Sequence, residues 1–377
     1  MKDINKQEFD EATKLKLEIF RECFKEWLPV FIHSRYIDKT FIYDFFAGSG
    51  KDSINNSGSP LILYEEAMGE NQMFCSKSKP HSVVFGFNEN KKTKSEELRI
   101  NVENHVTACL KNCNRSECVY DYHIVNYEFK DAIIRPNVEA ILKNPKYGKF
   151  ILLDQYGFKE VDNDVFRKLV SSPKTDFIFF ISSSFIKRFN EHPYIKKYIE
   201  TELINFDEAK PKECHKIVAN YFKTLIPENS EYYLHHFTIK KGANYYGLIF
   251  GSAHTFGMEK FLKVCWEKDV LSGEANFDMN DDYQKGSLFY TENNTNKIEA
   301  FKGILEMEIF SGNIKTNIEG LKFSLSSGIQ TKVFLDKIIE LRDKKKLITI
   351  SGNFNKKISN IHKLSEADVY SIILNKK

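Results

Sequence analysis

The stretch FIYDFFAGSGKDS, Phe41 to Ser53, decides the fold of this 377-residue chain, because its glycines fit two incompatible structures. A phosphate-binding loop requires Gly-x-x-x-x-Gly-Lys-Ser/Thr: backbone N–H groups wrap the phosphates, the lysine reaches their outer oxygens, and the hydroxyl holds magnesium. Here Phe45 replaces the first glycine and Asp52 replaces the hydroxyl. A carboxylate there faces the phosphates it should help to bind, so the nucleotide-hydrolase reading fails on charge. The other structure is a buried strand and its turn. Thr40 to Phe45 is a β-branched and aromatic run, and Ala47-Gly48-Ser49-Gly50 turns tightly at its end. Doubly wound sheets bind nucleosides at such a turn, where glycines admit close backbone approach and a strand-end acid accepts hydrogen bonds.

The flanking sequence repeats strand and helix. Residues 11 to 29 carry Leu15, Ile19, Phe20, Cys23, Phe24, Trp27 and Leu28 at helical spacing, and Pro29 is expected to end that helix. Strands are expected at 81 to 90, 119 to 129, 148 to 158 and 175 to 185, separated by helices at 95 to 111, 130 to 143 and 161 to 171. That alternation predicts a parallel sheet with helices on both faces. A long helical insertion is expected from 186 to about 228. Strands at 231 to 241 and 244 to 253, joined only by Gly242-Ala243, then form an antiparallel hairpin.

Residues 271 to 296 are polar and turn-rich, as a linker would be. Helices near 298 to 311, 315 to 326 and 330 to 345, followed by LITISG and a basic stretch, resemble a winged helix. Between Gln330 and Lys363 there are nine Lys or Arg against three Asp or Glu, a local net of +6. The fold class expected is α/β: a doubly wound, mostly parallel seven-stranded Rossmann-like sheet over 1–270, a linker over 271–296, and a small winged-helix-like domain over 297–377.

A content of 42% hydrophobic residues supports a large core, and a net charge of +3 neither demands nor excludes a nucleic-acid partner. The N-terminus is charged from the outset, with no apolar signal core or membrane-length run, which predicts a cytoplasmic protein with no membrane partner. Seven cysteines do not describe a disulfide framework. Cys109, Cys113 and Cys118 cluster in CLKNCNRSEC, either as reduced thiols or as a metal site lacking its fourth ligand; the spacing matches no zinc knuckle, and no metal is assigned.

Several segments together resemble the three-Cys-motif partner proteins (TcmP) of bacteria, a family that looks like class I S-adenosylmethionine (SAM) methyltransferases. These are LEIFRECFKEWLPVF, YDFFAGSG, GSPL at Gly58 to Leu61, LLDQYG, and YYGLIFGSAHTFGMEKFLKVCW, in order over residues 11 to 269. Ser49 stands where proline is common, and Asp-Gln-Tyr-Gly replaces Asp-Pro-hydrophobic-Gly. The resemblance implies a methyltransferase fold, SAM as cofactor, and a separate partner protein that carries the three cysteines. The function expected is SAM-dependent methyl transfer to nucleic acid. The alternative is a non-catalytic partner subunit of the same fold in a bacterial defence or mobile-element system.

Site residues follow from that reading. SAM is expected over Gly48 and Gly50, beside Phe46, with Asp44 near its amino group. Glu89, at the end of the second strand, either holds the ribose hydroxyls or is an ordinary solvated acid. Asn126 or Glu128, after the third strand, is a candidate for the adenine. Asp154 and Tyr156 lie where amino-methyltransferases carry Asp-Pro-Pro-Tyr: the acid aligns an amine and the ring stacks on a flipped base, or the pair simply caps and packs the strand end. Lys344, Lys345, Lys346, Lys356 and Lys357 either hold phosphates or form a solvated face.

Overall fold

Lys39–Asp44 is strand β1 in the computed structural model, which describes residues 7–69, 73–113, 115–206, 210–282, 296–354, 362 and 369–375. Helix α1 (Glu11–Ile32) precedes it. Helices α2 (Ser59–Met68) and α3 (Met73–Lys77) lead to β2 (Val83–Asn88), and α4 (Lys92–Cys113) leads to β3 (Asp121–Val125). Helices α5 (Phe129–Ile133) and α6 (Pro136–Lys143) lead to β4 (Tyr147–Leu153), and α7 (Asn163–Val170) leads to β5 (Thr175–Ile181). After α8 (Ser183–Arg188), α9 (Pro193–Lys196) and α10 (Cys214–Thr224) come β6 (Tyr233–Lys241) and β7 (Asn244–Ser252).

The sheet order is β3-β2-β1-β4-β5-β7-β6. The β1–β2, β2–β3, β1–β4 and β4–β5 pairs are parallel, and β7 runs antiparallel to β5. This is the doubly wound, mostly parallel seven-stranded Rossmann-like sheet expected from the sequence. Its order reverses between β1 and β4, the switch point at which doubly wound sheets commonly bind ligands outside the carboxyl ends of their strands. Helix α1 packs on the sheet through Phe20 and Phe24, both fully buried, and through Trp27, whose Nε1 donates to Asp176 Oδ2 at 2.8 Å.

Three sequence expectations are corrected. Helix α1 passes through Pro29 to Ile32, because a proline in the last turn forfeits one hydrogen bond, and His33 N still donates to Pro29 O at 3.3 Å. The segment after residue 186 is not one long helix: Pro193 and Pro211 each start a separate short piece. Helix α2 was absent from the expected helices. Its Leu61, Ile62, Leu63 and Tyr64 are all buried, so no polar stripe betrays the helical period.

The chain divides into two compact units, Met1–Tyr232 with Thr238–Ala253, and Tyr233–Phe237 with His254–Lys377. The second contains α11 (Thr255–Lys268), α12 (Asn296–Phe310), α13 (Asn317–Ser326), α14 (Thr331–Ile339) and an antiparallel pair, β8 (Ile348–Gly352) and β9 (Tyr370–Leu374). Trp266 Nε1 donates to Gly328 O at 3.1 Å, and the buried Glu274 pairs with Lys297 at 2.8 Å. Among the described residues no helix is long and apolar enough to cross a membrane.

Candidate cofactor and acceptor site

Asp44 ends β1 fully buried. Its Oδ1 accepts from Phe46 N at 3.0 Å and its Oδ2 from Ser59 Oγ at 2.6 Å, which ties the strand to the first turn of α2. Burial pushes this carboxyl up to about 7, against those two hydrogen bonds; the nearby Asp154 and Glu89 push the same way as burial. Gly48 and Gly50 follow with φ of 61° and 82°, the left-handed region that a β-branched residue resists. Asn101 Nδ2 donates to Ser49 O at 2.8 Å and fixes the turn from α4.

Glu89 stands after β2, buried, with Oε2 accepting from Gly48 N at 3.0 Å and Oε1 from Lys91 N at 2.9 Å. The solvated-acid reading of Glu89 is therefore not what the structure shows. Each oxygen keeps a second lone pair for a ligand hydroxyl. Asn126 is exposed and its Nδ2 donates to Glu89 O at 2.6 Å, so it braces the loop that carries the acid. Phe46 packs on Phe129 with ring centroids 4.9 Å apart.

Asp52, the residue that spoils a phosphate loop, organises this one. It accepts from the backbone N of Phe9, Ile54 and Asn56 at 3.0, 3.0 and 2.8 Å and from Asn56 Nδ2 at 2.8 Å. Burial opposes the charge, but these donors outweigh it and hold the carboxyl below the usual carboxylate range. Asp52→Ala is expected to lower stability by ~1–3 kcal/mol, because it leaves backbone donors unpaired, and urea unfolding measures the loss.

Asp154 follows β4, the strand paired with β1. It is already engaged: Lys16 Nζ of α1 donates to Oδ1 at 2.7 Å and Oδ2 at 2.6 Å. Lys16 is buried and its Nζ lies 4.9 Å from the centre of the Phe180 ring. Tyr156 is 70% exposed, so it does not pack beneath the strand end. Gln155 is buried instead, its Oε1 accepting from Glu160 N at 2.9 Å and Val161 N at 3.2 Å. Sequence reasoning missed Lys16, Ser59 and Gln155. Only Ser59 had a signal, a Ser-Pro helix start.

The fold thus brings Asp44, Phe46, Gly48, Gly50, Glu89 and Asn126 to the β1–β2 edge, and Asp154 close enough to act electrostatically on Asp44. The C-terminal lysines lie in the other unit. Lys344 and Lys346 are exposed, whereas Lys345 pairs with Glu340 at 3.0 Å and Glu306 at 3.5 Å. Lys356 and Lys357 lie outside the described residues.

No family model matches the chain, and no curated protein does. Solved structures do. Trm1 from Pyrococcus horikoshii with S-adenosyl-L-methionine matches 65% of this chain and 56% of its own, at 8% identity and a TM-score of 0.37. TYW2 from M. jannaschii with AdoMet matches 66% and 78%, at 11% identity and a TM-score of 0.30. Spermidine synthase from Thermotoga maritima matches 67% and 63%, at 12% identity and a TM-score of 0.32. The chain spans little more than half the length of the Trm1 structure. The fold assignment rests on the strand order and registers, not on these likenesses.

Proposed function

We propose that the first unit binds S-adenosylmethionine outside the carboxyl ends of β1 and β4 and serves methyl transfer to a nucleic-acid amine. The observation that carries this reading is the buried acid at the switch point. Asp44, raised to about 7 and backed by Glu89 and Asp154, suits a cationic ligand, and the Gly48–Gly50 turn leaves backbone rather than side chain at the approach. SAM fits that demand, since it carries an ammonium, a sulfonium and a ribose diol, and when bound it supplies an activated methyl group.

In this reading Asp44 holds the ammonium, Glu89 accepts from the ribose hydroxyls, and Phe46 and Asn126 border the adenine. Asp154 accepts from the acceptor amine and Tyr156 offers its exposed ring to the base. A competing cation already sits on Asp154, so Lys16 must withdraw before an amine can bind there. The same ion pair favours a second reading, a non-catalytic subunit that keeps the nucleoside pocket with its acceptor acid neutralised. The resemblance to three-Cys-motif partner proteins fits that role, with a separate bacterial protein as partner.

Labelled SAM incubated with DNA, RNA and protein separates the two: transfer supports the enzyme, and cofactor binding without transfer supports the subunit. The winged-helix reading of residues 297 to 377 belongs to the same proposal. Lys344→Glu with Lys346→Glu, which leaves the Lys345 ion pairs intact, is expected to weaken binding to all nucleic-acid sequences alike. It should also flatten the slope of log affinity on log salt by roughly 0.7–0.9 for every phosphate the variant no longer neutralises. Gel shifts at two salt concentrations measure both effects.

A further inference from the structure

Among the described residues only three phenylalanines are exposed, and two of them stand together: Phe185 in α8 and Phe189 at its C-terminal cap, at 41 and 40%. Their ring centroids are 4.7 Å apart. Phe185 lies on the buried Phe158, 5.6 Å between centroids and 22° between planes, and Tyr194 of α9, 46% exposed, meets the same ring edge-on at 6.0 Å. Phe158 belongs to the loop that leaves β4 and carries the candidate acceptor residues Asp154 and Tyr156. A contiguous exposed aromatic patch marks a place where something binds.

The charge around the rings says what fits there. From Phe185 to Tyr198 four Lys or Arg stand against one acid, Glu191, which Lys196 pairs at 3.1 Å. Lys197 Nζ lies 5.5 Å from the centre of the Tyr198 ring, and the exposed Arg188 gives one N–H to Asn244 Oδ1 at 3.1 Å and keeps the other donors of its fork. Flat rings edged by cations suit single-stranded nucleic acid, because every unpaired base offers a π-face and its phosphates seek positive charge. We infer that Phe185, Phe189 and Tyr194 form a stacking platform for unpaired nucleotides beside the acceptor base. The inference rests on the nucleic-acid reading above and narrows its substrate to unpaired strands.

The platform is firmly mounted. Ser183 Oγ and His215 Nδ1, both fully buried, share a hydrogen bond at 2.7 Å, and Ser184 Oγ accepts from Tyr245 N at 2.7 Å. Ser182 N donates to Gly157 O at 2.9 Å, which joins the start of α8 to the loop of Asp154 and Tyr156. Rings held in place lose little freedom when a base lies on them.

Fluorescence anisotropy of the full chain with a labelled oligothymidylate of about a dozen nucleotides, and with an abasic strand of the same phosphate count, tests the inference. Lysines that hold only phosphates treat the two alike, so the difference reports the rings. The wild type is expected to bind the oligothymidylate roughly 5-fold or more tighter, the equivalent of one stacked base. Phe189→Ala with Tyr194→Ala should abolish that preference and leave binding to a duplex unchanged, whereas Phe189→Tyr with Tyr194→Phe, which keeps both rings, should retain it. Equal wild-type affinity for the two strands, or a preference that survives in the alanine variant, would overturn the platform while leaving a backbone-held nucleic acid. No binding to either strand would remove the nucleic-acid reading with it, and SAM titration of the same sample reports separately on the cofactor. The wild-type comparison stands even if a variant fails to fold.

Discussion

Asp44→Asn is expected to stabilise the protein at pH 8 while weakening its ligand. A carboxyl whose folded value, about 7, lies above the unfolded value near 3.9 binds its proton more tightly when folded. Its contribution to stability is therefore full below about pH 4 and is lost as the pH rises through 7. Ionising it in place opposes folding by up to about 4 kcal/mol. Asparagine keeps an acceptor for Ser59 or Phe46 N and carries no charge. Thermal melts should show a higher Tm for Asp44→Asn at pH 8, a smaller gain at pH 5 and no gain below about pH 4. Asp176, buried and raised to about 6 by its burial, gives the wild type a further loss over the same window, and the variant retains that part. An equal pH profile in both proteins would show that Asp44 does not titrate as placed. Such a trade of stability against binding marks a site kept for its ligand rather than for the fold.

The second large effect concerns Lys16 and Asp154. Lys16→Met leaves Asp154 beside Asp44 and Glu89 with no compensating cation. The fully buried limit for such a loss is about 3–5 kcal/mol. Asp154 keeps 19% side-chain exposure, so ~1–3 kcal/mol is expected after solvent screening. Lys16→Met with Asp154→Asn should recover most of it, a coupling of ~1–3 kcal/mol in a double-mutant cycle read by urea unfolding. Additive losses would mean the pair is not formed in solution. The same variants separate the functional readings. Transfer that rises in Lys16→Met and vanishes in Asp154→Asn makes Lys16 a displaceable occupant of the acceptor site, whereas no transfer in any variant fits the subunit reading.

The strands were legible because turn residues bracket their apolar runs: Gly48 and Gly50 close β1, and Gly242-Ala243 separates β6 from β7. Helix α2 was not, since its four consecutive buried apolar residues, Leu61 to Tyr64, show no amphipathic period. Asp44, Glu89 and the two glycines could be read from position relative to their strands. Their partners could not. Lys16 meets Asp154 across 138 residues and Asp52 meets Phe9 across 43, pairings that only the packing of α1 and the Asp52 loop against the sheet creates. Asp52 reads as a defect in a phosphate motif until its four donors are seen.

The central claim is that the turn after β1 holds SAM, and calorimetric titration of SAM into wild type and Gly48→Val tests it most directly. Position 48 has φ of 61°, and its N–H donates to Glu89, so a β-branched side chain strains the turn, disturbs the ribose acid and fills the ligand's approach. Measurable binding by the wild type, strengthening as the pH rises toward 7 and Asp44 ionises, with none by a folded Gly48→Val, is the predicted result. No binding by the wild type across pH 6 to 8, or equal binding by both proteins, would contradict it.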